Sequence, residues 1–123
     1  MRILFRAGAL ALGIIAGAAL PAFAHAHLAA AIPAPDTSVA VSPGQLSLTF
    51  TEPVDAGFSR AVLRATDGSV VPTGNIQAAP GDGTQLLVPV SQMLSGGKYV
   101  VDWSVVAVVG HKSAGSFGFV VTP

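Results

Sequence analysis

The chain has 123 residues, with six basic and six acidic side chains and a formal net charge of zero. It contains no cysteine, which excludes disulfide bonds, thiolate metal sites and lipid anchoring through a cysteine. Once the two arginines near the N-terminus are set aside, four basic residues remain against six acidic ones, for a net charge of −2. Such a weakly acidic surface lacks the basic patch that binds nucleic acid or an anionic membrane.

Residues 1–24 have the layout of a secretory signal peptide. Two arginines precede a continuous apolar run, and the segment ends in the small-x-small sequence Ala-Phe-Ala. Cleavage after Ala24 would leave His25 at the N-terminus of one exported domain, residues 25–123. An uncleaved membrane anchor is the alternative, but the apolar run is shorter than the about 20 residues that a membrane span requires. We therefore expect a periplasmic protein that is not inserted in the membrane after cleavage.

Short segments of alternating apolar and polar residues predict an all-β fold. In the clearest one, QLSLTF, Leu46, Leu48 and Phe50 alternate with polar side chains. The dipeptide Asp67–Gly68 predicts a hairpin turn between two further strands. No segment of residues 25–123 keeps a helical period for long, although SQMLSGG could form a helical corner. The pattern predicts a Greek-key β-sandwich, immunoglobulin-like, with about seven strands.

The residues from Lys98 to Val121 predict the long β-hairpin that closes the fold. Four large side chains alternate onto one face of its first strand and are the predicted core: Tyr99, Val101, Trp103 and Val105. The loop between the two strands carries His111. Neither strand needs a histidine for packing, so His111 is a candidate functional residue.

The chain has three histidines, and two of them, His25 and His27, lie at the expected new N-terminus. An N-terminal histidine offers an α-amine of pKa about 7.7 to 8.0 and a ring nitrogen, which together close one chelate ring on a metal ion. Amine and imidazole donors suit Cu(II), and His111 could add a second imidazole. The alternative is a polar tail and a loop histidine that bind no metal, since no local motif such as HExxH supports a site.

Three segments, HAHLAAAIPA, LTFTEPV and YVVDWSVVAVVGHKSAGSFGFVV, resemble in this order the CopC family of periplasmic copper-binding proteins, particularly its short YobA-like members. The resemblance implies a Greek-key sandwich that binds Cu(II) through an N-terminal histidine, an aspartate and a histidine near the last hairpin. By position, His25 corresponds to the first of these ligands and His111 to the last. Glu52 matches the acidic residue of the family's F-x-E motif, which supports the site near the N-terminus without being a ligand.

The sequence departs from the family pattern two residues before His111, where Val109 stands in place of the aspartate. Valine can neither bind a metal nor offset its charge. His27 offers a second arrangement, because the amine, two amide nitrogens and the His27 imidazole could form a square-planar Cu(II) or Ni(II) site. We call the site of His25 and His111 the bridged mode and the site of residues 25–27 the tripeptide mode. Both modes use the same amine, so they compete.

These features predict a protein that binds Cu(II) and buffers it or passes it on, in copper trafficking or resistance. The resemblance suggests a CopD-like inner-membrane transporter as partner, and we expect a monomer that is not an enzyme. The sequence has no G-x-S-x-G elbow, which argues against a hydrolase. A metal-free interaction module with a decayed site and a histidine-brace copper oxidase are the alternatives. Met93 is expected to fill the core or a corner, and no Cu(I) site is expected.

Overall fold

The structure, a computed structural model, describes residues 25–123. The proposed signal peptide lies outside the described residues. In the described part of the chain nine strands form two sheets: β1 Leu28–Ile32, β2 Ser38–Val39, β3 Gln45–Phe50, β4 Arg60–Ala65, β5 Val70–Val71, β6 Gln77–Ala79, β7 Asp82–Pro89, β8 Gly97–Val106 and β9 Lys112–Val121. The sheets pack face to face over one hydrophobic core. The predicted all-β Greek-key sandwich is confirmed.

The strand order explains how distant parts of the sequence meet. One sheet has the order β1-β3-β7-β6 and the other the order β2-β9-β8-β4-β5. Neighbouring strands are antiparallel except β2, which pairs in parallel with the end of β9. Because the chain passes repeatedly from one sheet to the other, β1 and the β8–β9 hairpin come to lie at the same end of the sandwich.

The core is built from strands whose side chains alternate between inside and outside, as β8 shows. Tyr99, Val101, Trp103 and Val105 are all buried, while the residues between them lie on the outer face. The ring of Tyr99 stacks on Phe119 with centroids 5.8 Å apart, and the indole of Trp103 meets Phe50 edge-on at 5.2 Å. Such aromatic pairs contribute about 0.5 to 1.5 kcal/mol beyond their buried area. The predicted core face of the closing hairpin is therefore confirmed.

The structure has two more strands than the roughly seven expected. The additional ones are short, because β2 and β5 have two residues each. Two residues are too few to show an alternation of apolar and polar side chains. β5 does follow the turn predicted at Asp67–Gly68 and pairs with β4.

SQMLSGG, expected as a turn in which a helical corner could form, is a turn without a helix. Leu94 is buried and its backbone N–H donates to the hydroxyl of Ser42, which holds this corner in an irregular conformation. The expectation that Met93 fills the core or a corner is wrong, since its side chain is 84% exposed and Leu94 fills the core instead. Within residues 25–123 the helical element is a 3-10 turn at Ala56–Phe58, and no helix there is long and apolar enough to cross a membrane.

Candidate metal centre

The segment before β1 is attached to the end of β3 by backbone and side-chain hydrogen bonds. The His27 N–H donates to Oγ1 of Thr51, and the Thr51 N–H donates to the carbonyl oxygen of His27, both at 2.9 Å. These bonds extend the β1–β3 ladder by one step toward the N-terminus. His27 is therefore part of the sheet edge and not a frayed tail.

Ala26 attaches the same segment to the hydrophobic core and to β9. Its side chain is fully buried within the hydrophobic core. Its carbonyl oxygen accepts a hydrogen bond from the hydroxyl of Ser113, on β9, at 2.6 Å. Because side chains alternate along an extended chain, the burial of Ala26 turns His25 and His27 outward, and both are exposed.

The β8–β9 connection is a tight turn that presents His111. The Gly110 N–H donates to the carbonyl of Ala107 at 2.7 Å, and the Ala107 N–H donates to the carbonyl of His111 at 2.8 Å. Gly110 has a φ of +100°, a conformation that glycine adopts without strain and that three-residue hairpin loops require. His111 follows this turn directly and is exposed.

This turn is also held against the chain that follows β3. Val54 forms a β-bridge with Ala107, and the Val108 N–H donates to the carbonyl of Pro53 at 2.9 Å. Three separate segments are thus fastened together at one end of the sandwich: the chain before β1, the end of β3 and the β8–β9 turn.

The result is a pair of adjacent imidazoles. The ring centroids of His25 and His111 lie 5.2 Å apart, with an angle of 58° between the ring planes. Among the described residues, the close aromatic contacts do not include the His27 ring. The structure therefore brings together the two histidines of the bridged mode and leaves His27 outside that pair.

Glu52 lies at the same end of the molecule, between Thr51 and Pro53. It is partly buried, and it forms no hydrogen bond or ion pair with any other described residue. Both of its neighbours in the chain are hydrogen-bonded to other segments. Thr51 is bonded to His27, and the carbonyl of Pro53 accepts a hydrogen bond from the Val108 N–H of the β8–β9 turn. Glu52 therefore follows directly on the residue that is hydrogen-bonded to His27.

Val109 lies at the tip of the β8–β9 turn, with 66% of its surface exposed. Strand alternation would place residues 109 and 111 on the same side of the chain, but that rule does not apply here, because the turn at Gly110 interrupts the strand. Within residues 25–123 there is no group of three or more His, Cys, Asp or Glu side chains that could hold a metal ion.

Sequence reasoning missed Ser113 and Ala26 as parts of this site. A signal for Ser113 was present, because the inward positions of β9 include Phe119 and Val121, and counting back by twos reaches residue 113. Ala26 gave no such signal, since an alanine between two histidines does not reveal that it is buried.

Comparisons with known proteins agree with the fold and the order of these segments. Residues 28–122 match the family model described as CopC domain. Protein YobA of Escherichia coli (strain K12) is 38% identical over 99 residues, which cover 80% of each chain. Copper resistance protein C of Escherichia coli is 32% identical over 115 residues, covering 89% of this chain and 90% of that protein.

Solved structures give the same result. The crystal structure of CopC from Methylosinus trichosporium OB3b has a TM-score of 0.75 and 28% identity, over 80% of this chain and 95% of that one. PcoC, a methionine-rich copper resistance protein from Escherichia coli, has a TM-score of 0.72 and 29% identity, over 80% of this chain and all of PcoC. The chain described here belongs to the CopC domain family.

Proposed function

We propose that this protein binds Cu(II) in the periplasm through His25 and His111, after residues 1–24 have been removed. In this proposal copper is cargo that the protein buffers or passes on. The relatives named as copper resistance proteins support a role in copper handling. The main observation that supports this site is that the rings of His25 and His111 are adjacent.

The distance between these rings fits one shared ion. A metal–nitrogen bond of about 2.0 Å puts a ring centroid about 3 Å from the metal, so two imidazoles on one ion have centroids about 4.5 to 6 Å apart. The 5.2 Å between the centroids of His25 and His111 lies within this range. Both side chains are exposed, so the proposal is that each ring turns one nitrogen toward a shared ion.

The third donor in the proposal is the α-amine of His25. It exists only when the chain begins at residue 25, and it forms a chelate ring with the imidazole of the same residue. Imidazole and amine nitrogens suit Cu(II), which binds most tightly among the divalent first-row ions. The carboxylate of Glu52, next to the residue that fastens His27, is proposed to offset part of the ion's charge.

We propose the tripeptide mode, with His27 as a ligand, as a second site that competes with the bridged mode. It requires copper to replace the amide protons of Ala26 and His27, so it is favoured at higher pH. Near neutral pH the bridged mode is favoured, because it requires no amide deprotonation.

The proposed role is binding and transfer, without catalysis. We propose a monomer that delivers copper to, or receives it from, a CopD-like inner-membrane transporter. Both imidazoles are exposed at one end of the sandwich, where a partner can approach the ion without opening the fold. The weakly acidic composition supports a protein partner over nucleic acid.

The proposal is tested by competition titration with Cu(II) on two forms of the protein. The first begins at His25, as verified by mass spectrometry, and the second retains Ala24 and so lacks the amine on His25. We expect one tightly bound ion in the first form and an affinity at least tenfold lower in the second. Equal affinities would refute the amine chelate. No binding to the first form would instead identify a metal-free interaction module.

A further inference from the structure

The peptide group between Ala26 and His27 is held at both of its polar atoms. Its carbonyl oxygen accepts a hydrogen bond from the Ser113 hydroxyl at 2.6 Å, and its N–H donates to the Thr51 hydroxyl oxygen at 2.9 Å. The two hydroxyls come from opposite sheets, since Ser113 is on β9 and Thr51 directly follows β3. This peptide group is therefore fixed in orientation relative to both halves of the sandwich.

We propose that Ser113 and Thr51 are positioning residues that select how the N-terminus binds copper. Neither residue is proposed as a ligand. Together they keep the 26–27 peptide in the sheet edge, which directs His25 toward His111 and disfavours the tripeptide mode. This inference rests on the proposed function.

The tripeptide mode requires two peptide nitrogens as ligands. In that mode the nitrogen of the 26–27 peptide binds the ion and its proton passes to solvent, as does the proton of the 25–26 peptide. The nitrogen of His27 can reach an ion only after its hydrogen bond to Thr51 is broken. The hydrogen bond from Ser113 holds the other end of the same peptide and resists the rotation that would free the nitrogen.

Burial of Ala26 opposes the same movement. The tripeptide mode wraps residues 25–27 around one ion in a plane, with the Ala26 amide nitrogen among the donors. In the structure Ala26 is 0% exposed and belongs to the core. Wrapping the segment around an ion therefore also withdraws the Ala26 side chain from the core.

The bridged mode requires neither the loss of these hydrogen bonds nor the withdrawal of Ala26 from the core. It uses the amine and ring of His25 together with the ring of His111, and the two rings already lie 5.2 Å apart while both hydrogen bonds are present. Each hydroxyl thus stabilises one copper mode relative to the other. A single hydrogen bond of ordinary strength corresponds to about a fivefold change in the ratio of the two modes. Since both bonds hold one peptide group, their effects are not expected to be additive.

The test compares Ser113→Ala and Thr51→Val with the wild-type protein, all beginning at His25 and loaded with one equivalent of Cu(II) at a fixed neutral pH. Thr51→Val removes the hydroxyl and keeps the shape and the backbone bond to His27. Electron paramagnetic resonance and visible absorption distinguish a site with amide nitrogens from one with amine and imidazole donors. We expect the ratio of tripeptide to bridged signal to rise about fivefold in each variant.

Matched variants separate positioning from general loosening of the structure. Ser113→Thr and Thr51→Ser keep a hydroxyl at each position and should restore the wild-type ratio. Ser116→Ala removes an exposed hydroxyl from the same strand, one that makes no hydrogen bond to a described residue, and should leave the ratio unchanged. A ratio that stays at the wild-type value in Ser113→Ala and Thr51→Val would overturn the inference, as would an equal rise in the three matched variants.

Failure of this inference can be distinguished from failure of the proposed function. If the wild-type signal is insensitive to His111→Ala, the bridged site itself is refuted. If the wild-type signal depends on His111 and the hydroxyl variants behave like wild type, the copper site stands and the positioning role of Ser113 and Thr51 is refuted.

Discussion

The indole of Trp103 lies directly over Gly115, its partner across the β8–β9 ladder. A Cβ atom added at Gly115 would be 2.6 Å from Cζ2 of the indole, a distance that real Cβ contacts essentially never show. The indole is also held on another side by Phe50, at a centroid distance of 5.2 Å. Residue 115 must therefore be glycine for Trp103 to occupy the core in this orientation.

We expect Gly115→Ala to lower the free energy of unfolding by about 1 to 3 kcal/mol, as overpacking of a core does. Trp103→Ala should lower it by about 3 to 5 kcal/mol, as expected for loss of a large core aromatic. Adding Gly115→Ala to Trp103→Ala should then cost less than it does alone, because the clashing ring is gone. Urea denaturation measures the free energy of unfolding of the two single variants and of the double variant. Gly44→Ala is the control, since nothing lies within 4 Å of a Cβ atom at that position. Additive effects of Gly115→Ala and Trp103→Ala on the free energy of unfolding would contradict the packing described.

Substitution of His111 tests whether copper ties the N-terminus to the closing hairpin. If the bridged mode is correct, His111→Ala should lower Cu(II) affinity and abolish the rise in thermal stability that copper causes. Copper in the bridged site stabilises the folded state by at most about 2.7 kcal/mol at a free concentration a hundred times Kd, and copper bound to residues 25–27 of the unfolded chain lowers this value. Differential scanning calorimetry with and without Cu(II) measures this, with His27→Ala as the control that keeps the rise. An equal stabilisation in His111→Ala would exclude the bridge.

The balance between the two copper modes should depend on pH. Amide nitrogens bind copper only on losing their protons, so the tripeptide mode should gain as pH rises and the bridged mode should dominate near neutral pH. Electron paramagnetic resonance on wild type, His27→Ala and His111→Ala across pH follows both signals. A neutral-pH spectrum that is lost in His27→Ala but unchanged in His111→Ala would refute the bridged mode.

A carboxylate at position 109 should strengthen Cu(II) binding. A unit negative charge about 4 Å from a divalent ion in water-like surroundings contributes about 2 kcal/mol, or roughly thirtyfold in affinity. Val109→Asp adds this charge at the exposed tip of the turn that presents His111. Val108→Asp is the matched control, because it adds the same charge to the neighbouring exposed residue of the turn. Equal or weaker affinity in Val109→Asp would show that the carboxylate does not reach the ion.

Two exposed carboxylates should contribute stability that is lost at low pH. The Ser69 hydroxyl, helped by the Ser69 N–H, holds the pKa of Asp67 below its ordinary value of 3.8. Thr84 lowers the pKa of Asp82 in the same way. Because the pKa is lower in the folded state, this stability is fully present above the unfolded pKa of about 3.9 and is lost as pH falls through the folded pKa.

Ser69→Ala should therefore raise the pKa of Asp67, followed by NMR titration of its carboxylate, and should reduce the loss of stability on acidification below about pH 4. Ser91→Ala removes an exposed hydroxyl that makes no hydrogen bond to a described residue and serves as the control. If the pKa of Asp67 is the same in Ser69→Ala and in the wild type, the Ser69 hydroxyl does not lower that pKa.

The fold was predictable from the sequence where side chains alternate over long strands. Tyr99 to Val105 and Leu46 to Phe50 show the alternation plainly, and the structure buries the expected faces. β2 was not predictable, because its two residues are placed by parallel pairing with β9, which no local pattern shows. Met93 was misjudged because the irregular corner turns its neighbour Leu94 inward.

The candidate site was predictable only in its histidines. Two histidines at an expected N-terminus and one in a late loop suggested a bridge, and the structure does place His25 beside His111. The hydrogen bonds that hold Ala26 and His27 depend on contacts between residues far apart in sequence, so spacing could not reveal them. The direction of the Val109 side chain relative to His111 could not be predicted from strand alternation, because Gly110 turns the chain between the two residues.

The hydrogen bond from Ser113 to Ala26 joins residues 87 positions apart. Contacts between such distant residues form slowly, because the loop between them must lose its conformational freedom before the contact can stabilise anything. During synthesis β9 is also the last strand to emerge, so the N-terminal segment has no partner on β9 until nearly the whole domain has been made. The donors of residues 25–27 are neighbours in sequence and are available once residues 1–24 have been removed, whereas those of His25 and His111 meet only once the sandwich has closed. A chain that begins at His25 and has not yet closed its sandwich can therefore offer copper only the tripeptide mode.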